Sequence, residues 1–430
     1  MCPPPWLQKV LDKVNLDKHF GPTYPDRFCE MPEWDREEFL EQIDFDALKT
    51  LSSRLRDGLP CDIVDEVLGH YNLVYHIEFD DNSQWVARIP LQYRVYQSED
   101  QDREKQIQKL LFESAVATQM YVRLKKSVFA PEIYTFFKDG LNEVGVPFML
   151  MQKIDDYPLD DCIAHMSDDE LKTVLSELAR EMVRLAKPPH FDKIGSVFQE
   201  GEEFVVGPLL SYASIQDDPV KVEERGPYTT VEEYFTSALN RHIATALETK
   251  DRELYLQTTQ LRSLLPFFLD EEFDKGPFIL TPFDWDARNI FFDDDLLISG
   301  VIDWDFATVS PVQSCFRYPP FMTRDWLLGH KSKTSEKYRR IFRDCLSELQ
   351  DETDLPLLKL LDQSRYFQMF EEAVMSSELG DKYLPELEKY VSGLGSHKVE
   401  VKAIPVVRGQ AVLKDIQTDG GGKAKIATGI

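Results

Sequence analysis

The residues best suited to chemistry lie in one run, FILTPFDWDARNIFFDDDLLISGVIDWDFATVSP, from Phe278 to Pro311. Asp284 and Asn289 stand in its first polar loop, in the spacing D-x4-N, and Asp303 follows an apolar run at 296–302. Residues 278–281 read as a short strand, and 290–292 and 296–302 as two more that reverse at Asp293–Asp295. Such a reversal returns the end of its second strand to the start of its first. It therefore carries Asp303 back to Asn289 and the Asp284 loop. Two carboxylates and an amide then meet at one end of a hairpin between apolar strands. All are hard oxygen groups, the donor set that suits Mg2+. One carboxylate is left to take a proton from, or orient, an attacking hydroxyl. Asp286 and Asp305 share these loops, but a solvated carboxylate is the ordinary state of an acidic residue. Asp293–Asp295 read as turn carboxylates, and Trp285 and Trp304 as packing residues.

Elements upstream must place these groups. After two short helical stretches at 33–43 and 47–55, the pattern changes to β runs at 63–68, 73–79 and 84–89. Leu73, Tyr75, Ile77 and Phe79 alternate with Val74, His76 and Glu78, and the polar Asp80–Ser83 turn makes the last two runs an antiparallel hairpin. A helix is predicted over 106–126, stopped by Pro131, then strands over 133–137 and 144–151. The remainder is mostly helical. Ser167 and Glu170 form a capping-box signature, and Thr230 and Glu233 repeat it. The last long helical patterns run from 335 to 392, and residues 402–430 show little periodicity and read as a tail.

The spacing of Asp284, Asn289 and Asp303 is that of kinase-type phosphoryl transfer, with the base on the loop and the Asn and second Asp on metal. Here the chain resembles the aminoglycoside phosphotransferase family, in its fungal branch, over roughly residues 45–395. That family shows an H-x-D-x-x-x-x-N loop and an I-D-W-[DE] strand; Asp284, Asn289 and Ile302-Asp303-Trp304-Asp305 stand in those places. Gly69-His70-Tyr71-Asn72 is similar to its nucleotide loop, Trp85–Pro90 to the strand bearing a phosphate-contacting cation, and Val144–Gln152 to its lobe hinge. The resemblance implies an α+β, bilobal protein-kinase-like fold with a small β-rich N-lobe and a larger, mainly helical C-lobe. It implies residues 1–60 as an N-terminal extension, 61–153 as the N-lobe, 154–400 as the C-lobe and 401–430 as a tail. It implies ATP near Met151 and Gln152, phosphates under Gly69, Asn72 and Arg88, Mg2+ on Asn289 and Asp303, and Asp284 as the catalytic residue. The acceptor would be the hydroxyl of a small molecule, touching 226–235 and the region after Pro311.

The chain departs from the family at three positions. Pro282 stands where the loop histidine is usual, Arg88 where the strand cation is usually Lys, and Ala115 where a helix Glu would pair with that cation. Glu113 lies about 200° round the helix from that position. These departures favour an alternative, a kinase-like scaffold that binds nucleotide without transfer, and the intact Asp284/Asn289/Asp303 set opposes it. ATP-driven activation chemistry in a biosynthetic route is a third reading.

The charge balance sets outer limits. With 49 Lys+Arg against 76 Asp+Glu, a net charge of −27 argues against nucleic acid and anionic membrane as partners and suits a cationic acceptor. No apolar run has the roughly 18 residues of a membrane span, and no basic-then-apolar leader is visible. Six scattered cysteines without a CxxC point to a reducing, cytoplasmic setting.

Overall fold

Antiparallel pairing builds a five-stranded sheet first. A computed structural model describes residues 36–69, 71–91, 101–210, 225–328 and 331–394. Strands β1 (Cys61–Leu68), β2 (Asn72–Phe79), β3 (Gln84–Pro90), β4 (Ile133–Phe137) and β5 (Phe148–Gln152) lie in the order β1-β2-β3-β5-β4. Every neighbouring pair is antiparallel. In β2, Leu73, Tyr75, Ile77 and Phe79 are buried while Val74, His76 and Glu78 are half-buried, the two-residue period of a strand.

β3 is buried almost throughout because both faces of the sheet are covered. On one face Trp85, Ala87 and Ile89 share a core with Phe39, Ile43, Leu48 and Leu51. Those four come from the helix Arg36–Leu40, the turn after it, and the helix Phe45–Leu55, whose first turn is capped by Asp44 on the Ala47 N–H. Packing therefore joins residues 39–55 to the N-lobe core, although the sequence set 1–60 apart. On the other face Val86, Met149 and Met151 pack with Phe112 and Val116 of the helix Gln101–Tyr121. Alternation along β3 puts Arg88 on this second face, with Val86.

Three predicted boundaries move. The long helix begins at Gln101 and ends at Tyr121, and residues 122–126 form a wider π-turn closed by Ser127 at φ 54°. Lys126 there donates to the carbonyls of Lys187 and Pro189, tying the N-lobe helix to the C-lobe. β5 starts at Phe148 and not at 144, because the Asn142 side chain bonds the Val144 N–H and the Val146 carbonyl and holds that stretch as a turn. The third is the strand before Asp303, which covers Ile298–Val301 only.

The C-lobe is built on one large apolar cluster. Its central helix, Asp168–Ala186, opens with the reciprocal capping box of Ser167 and Glu170 and buries Leu171, Val174, Leu175, Leu178, Met182 and Leu185. Thr230 caps the helix Val231–Thr249 on the Glu233 N–H, but the Glu233 carboxylate turns to Thr229, so that box is not reciprocal. Helices Lys333–Glu348, Leu357–Met375 and Ser377–Gly393 complete the lobe. The tail beyond 401 lies outside the described residues. Among the described residues, no helix is long and apolar enough to cross a membrane.

Candidate active site

Two strand pairs create the site by nesting two loops. After β6 (Tyr157–Pro158), β7 (Ser196–Glu200) and β8 (Glu203–Gly207), β9 (Phe278–Thr281) pairs with β12 (Thr308–Pro311), and β10 (Ile290–Phe292) pairs with β11 (Ile298–Val301). Residues 282–289 connect β9 to β10, and residues 302–307 connect β11 to β12. Thr281 faces Thr308, and Ile290 faces Val301, so both loops leave from the same end. The ladder continues one step into them, with the Ile302 N–H on the Asn289 carbonyl at 2.9 Å. At the far end, Asp293 accepts the N–H groups of Asp295 and Leu297 at 3.0 and 2.9 Å, a turn carboxylate.

The first loop is braced from within. The Asn289 amide donates to the Asp284 carbonyl at 3.0 Å and to its Oδ2 at 3.2 Å. Arg288 donates to the same Oδ2 at 2.5 Å. Arg288 belongs to no motif in the sequence, and in a loop its place four residues after Asp284 does not by itself mark the ion pair. With the side-chain nitrogen of Asn289 bound to Asp284, its side-chain Oδ1 is the atom left to act as a ligand. Asp286 is buried, 2% exposed, against Arg324 at 3.4 Å, and burial first of all raises its pKa. Trp285 and Trp304 are buried, and the Trp304 indole anchors its loop on the Val301 carbonyl at 2.9 Å. The position of the missing loop histidine is bridged differently: the Arg317 guanidinium makes long contacts to the Pro282 and Phe283 carbonyls, 3.4 and 3.5 Å.

The second loop folds sharply because Asp303 and Phe306 are both left-handed, at φ 63° and 58°. Such backbone costs about 1–3 kcal/mol per residue and is held only where surrounding contacts over-determine it. Here it turns Asp303 and Asp305 to one cation. Arg88 donates to Asp303 Oδ1 at 2.8 Å and forks onto Asp305, at 3.0 Å to Oδ1 and 3.1 Å to Oδ2. Burial opposes the charge on Arg88, but Asp305 and then Asp303 outweigh it, and its pKa lies above the ordinary arginine value.

These contacts answer which acid pairs with Arg88. Glu113 does not; it binds Lys138 at 2.7 Å. Asn72 departs from its expected place over phosphate, because its side chain is 9% exposed and donates to Asp305 Oδ2 at 3.0 Å. Gly69 closes the β1–β2 turn by its N–H on the Asn72 carbonyl, and a Cβ at Gly69 would lie 3.1 Å from that oxygen. Met151 is buried between the sheet and the helix Gln101–Tyr121, and the Gln152 side chain accepts the Glu132 N–H. The side chains at both hinge positions are thus committed to the fold.

The donor set fits a shared magnesium site. Among the described residues, no group of three or more His, Cys, Asp and Glu forms a self-contained metal cage. Mg2+ is ordinarily held by one or two protein oxygens together with waters and substrate phosphates. If the site takes Mg2+, Asp303 Oδ2, which Arg88 does not touch, and Asn289 Oδ1 would be the protein oxygens to hold it.

The family follows from comparison with known sequences. The sequence model of the phosphotransferase enzyme family matches residues 67–314, more than half of the chain, and spans both nested loops. The chain belongs to this family. The residues that match the phosphotransferase enzyme family run from the end of β1 through β12. Two curated relatives, subtelomeric hrmA-associated cluster proteins from two strains of Aspergillus fumigatus, are 27% identical over 126 residues. The chain spans 25% of the length of those relatives, and the match takes up 26% of the chain. Among solved structures, a candidate aminoglycoside phosphotransferase of Ralstonia eutropha is 16% identical, with a TM-score of 0.48 over 82% of this chain and 99% of that one. A candidate fructosamine-3-kinase of Thermobifida fusca is 12% identical, with a TM-score of 0.45 over 80% and 99%. The ADP-bound aminoglycoside phosphotransferase APH(2'')-Ib is 13% identical, with a TM-score of 0.42 over 80% and 97%.

Proposed function

We propose that this member of the phosphotransferase enzyme family transfers a phosphoryl group from ATP to a hydroxyl of a small molecule, with Mg2+. The observation that carries the reading is the nested pair of loops, which gathers Asp284, Asn289 and Asp303 opposite Arg88. ATP supplies the phosphoryl group, and Mg2+ offsets the charge that builds on it. Asn289 and Asp303 would hold the metal through the two oxygens that no other side chain occupies. Arg88 would face the phosphates as a planar fork, which matches phosphate oxygens two at a time. Asp284, partly exposed and held by Arg288 and Asn289, aligns the acceptor hydroxyl and receives its proton at the carboxylate.

The acceptor remains of the small, cationic class that the acidic chain suits, and Arg324 beside Asp286 and Asp160 sets a limit on how acidic the loop's surroundings are. The test is ADP release across a panel of cationic, neutral and anionic hydroxyl compounds, with Asp284→Asn as control. Turnover by the wild type that drops in Asp284→Asn supports the reading. Equal turnover in both removes Asp284 from the chemistry, and preference for anionic acceptors overturns the cationic class. Melting with ATP and Mg2+, with ATP and EDTA, and without nucleotide shows whether nucleotide binds and needs the metal, and ADP release separates transferase from scaffold. Saturation at 100 times Kd stabilises by about 2.7 kcal/mol, and a competent site loses that gain with EDTA.

A further inference from the structure

We propose that Asp305 is the positioning residue for Arg88, doing from the metal-side loop what a helix carboxylate would otherwise do. This rests on the reading of Arg88 as the phosphate-facing cation of a phosphotransferase. Three observations carry it. The helix offers no carboxylate at the required place, since Ala115 is there and Glu113 is bound to Lys138. Asp305 meets both terminal nitrogens of Arg88, whereas Asp303 meets one. Asp305 is in turn held by Asn72.

The geometry separates two tasks. A bidentate carboxylate fixes both the place and the plane of a guanidinium, and a single contact fixes neither. The Asp305 fork therefore holds the plane of Arg88 while Asp303 keeps its second oxygen for metal. Lys has no plane to fix, so the pairing also accounts for Arg at this strand position. Asn72 stands at the start of β2, Arg88 on β3, and Asp305 beyond β11, so the same three groups set how the N-lobe sits over the loops. Asp305 touches no reacting atom and acts through Arg88.

The experiment compares wild type, Asp305→Asn, Asp305→Glu, Arg88→Lys and the double variant Arg88→Lys/Asp305→Asn. Nitrogen-15 spectra of the nucleotide-free protein, labelled at arginine, report rotation of the Arg88 guanidinium, whose signals are those lost in Arg88→Lys. ATP affinity is measured with Mg2+, and KM and kcat with any acceptor that turns over. The expected result is slowed rotation in wild type and free averaging in Asp305→Asn. ATP binding weakens roughly ten- to hundred-fold in Asp305→Asn, the worth of a charge-assisted hydrogen bond. The loss falls on KM for ATP more than on kcat, Asp305→Glu recovers most of it, and the double variant binds no worse than Arg88→Lys alone. Unchanged rotation in Asp305→Asn overturns the proposal, as do additive losses in the double variant or a folded Asp305→Glu that recovers nothing. A wild type that shows the restrained guanidinium but binds no nucleotide overturns the phosphotransferase reading instead, and leaves the Arg88–Asp305 pairing as measured.

Discussion

Glu181 offers the sharpest test of the energetics beneath the site. It lies inside the helix Asp168–Ala186 with no exposed surface, paired through Oε1 with Arg184, while Oε2 is buried with no hydrogen-bond partner among the described residues. Burial, more than any other influence, pushes its pKa up to about 7. The native state thus holds this proton more tightly than the unfolded chain does. The contribution to stability is complete below the ordinary glutamate range and is lost as pH rises toward 7. From the ordinary 4.5 to about 7, at 1.36 kcal/mol per unit, the loss comes to about 3 kcal/mol. Glu181→Gln keeps the shape and the acceptor for Arg184 but removes the titration. Thermal unfolding of wild type and Glu181→Gln is followed from pH 5 to pH 8. The two curves start close together and part as pH rises, with the variant melting roughly 5 °C or more above wild type at pH 8, at about 2–4 °C per kcal/mol for a lobe of this size. Parallel curves across the range, or a variant that melts lower at every pH, would refute the reasoning. Arg184 lies over the Phe129 ring, 5.5 Å from its centroid, and the Phe129 carbonyl accepts the Val301 N–H of β11.

Other perturbations test the remaining parts. Asp284→Asn lowers turnover roughly 10²–10⁴-fold, the usual worth of a positioned base, with little change in melting temperature; ADP release and a thermal scan check both halves. Gly300→Ala, in β11, places a Cβ 2.7 Å from Cγ1 of Ile154, just after β5, and costs about 1–3 kcal/mol, read by chemical unfolding. Arg339→Ala leaves Asp325 buried without its fork, 2.6 and 3.0 Å long, and costs about 3–5 kcal/mol. Burial alone would raise the Asp325 pKa, but Arg339 and the Ser332 N–H hold it below the ordinary value. Its contribution is therefore present above the usual aspartate range and fades as pH falls through the lowered one, so wild type should lose more stability on acidification than Arg339→Ala.

The local elements were legible in the residues because each is written in a short window. Alternation marked β2, the polar Asp80–Ser83 turn set β3 against it, the Ser167–Glu170 box marked the central C-lobe helix, and the apolar runs around Asp293–Asp295 marked the hairpin that returns Asp303 to Asn289. The pairing of β9 with β12 was not legible, although it is what gives the two loops a common origin. A four-residue apolar strand carries no mark of its partner.

The types and order of the chemical groups, Asp284, Asn289, Asp303 and the cation Arg88, are determined by the sequence alone, because loop carboxylates, an amide and a strand arginine can be read without knowing what they touch. Their pairing was decided only by tertiary structure. Arg88 and Asp305 are 217 residues apart in the chain, and Asn72 and Asp305 are 233. Asp305 looked like one more solvated acid among 76. Closure of the N-lobe over two left-handed turns makes it the partner of a buried arginine, and an ion pair between lobes leaves no periodicity in either segment.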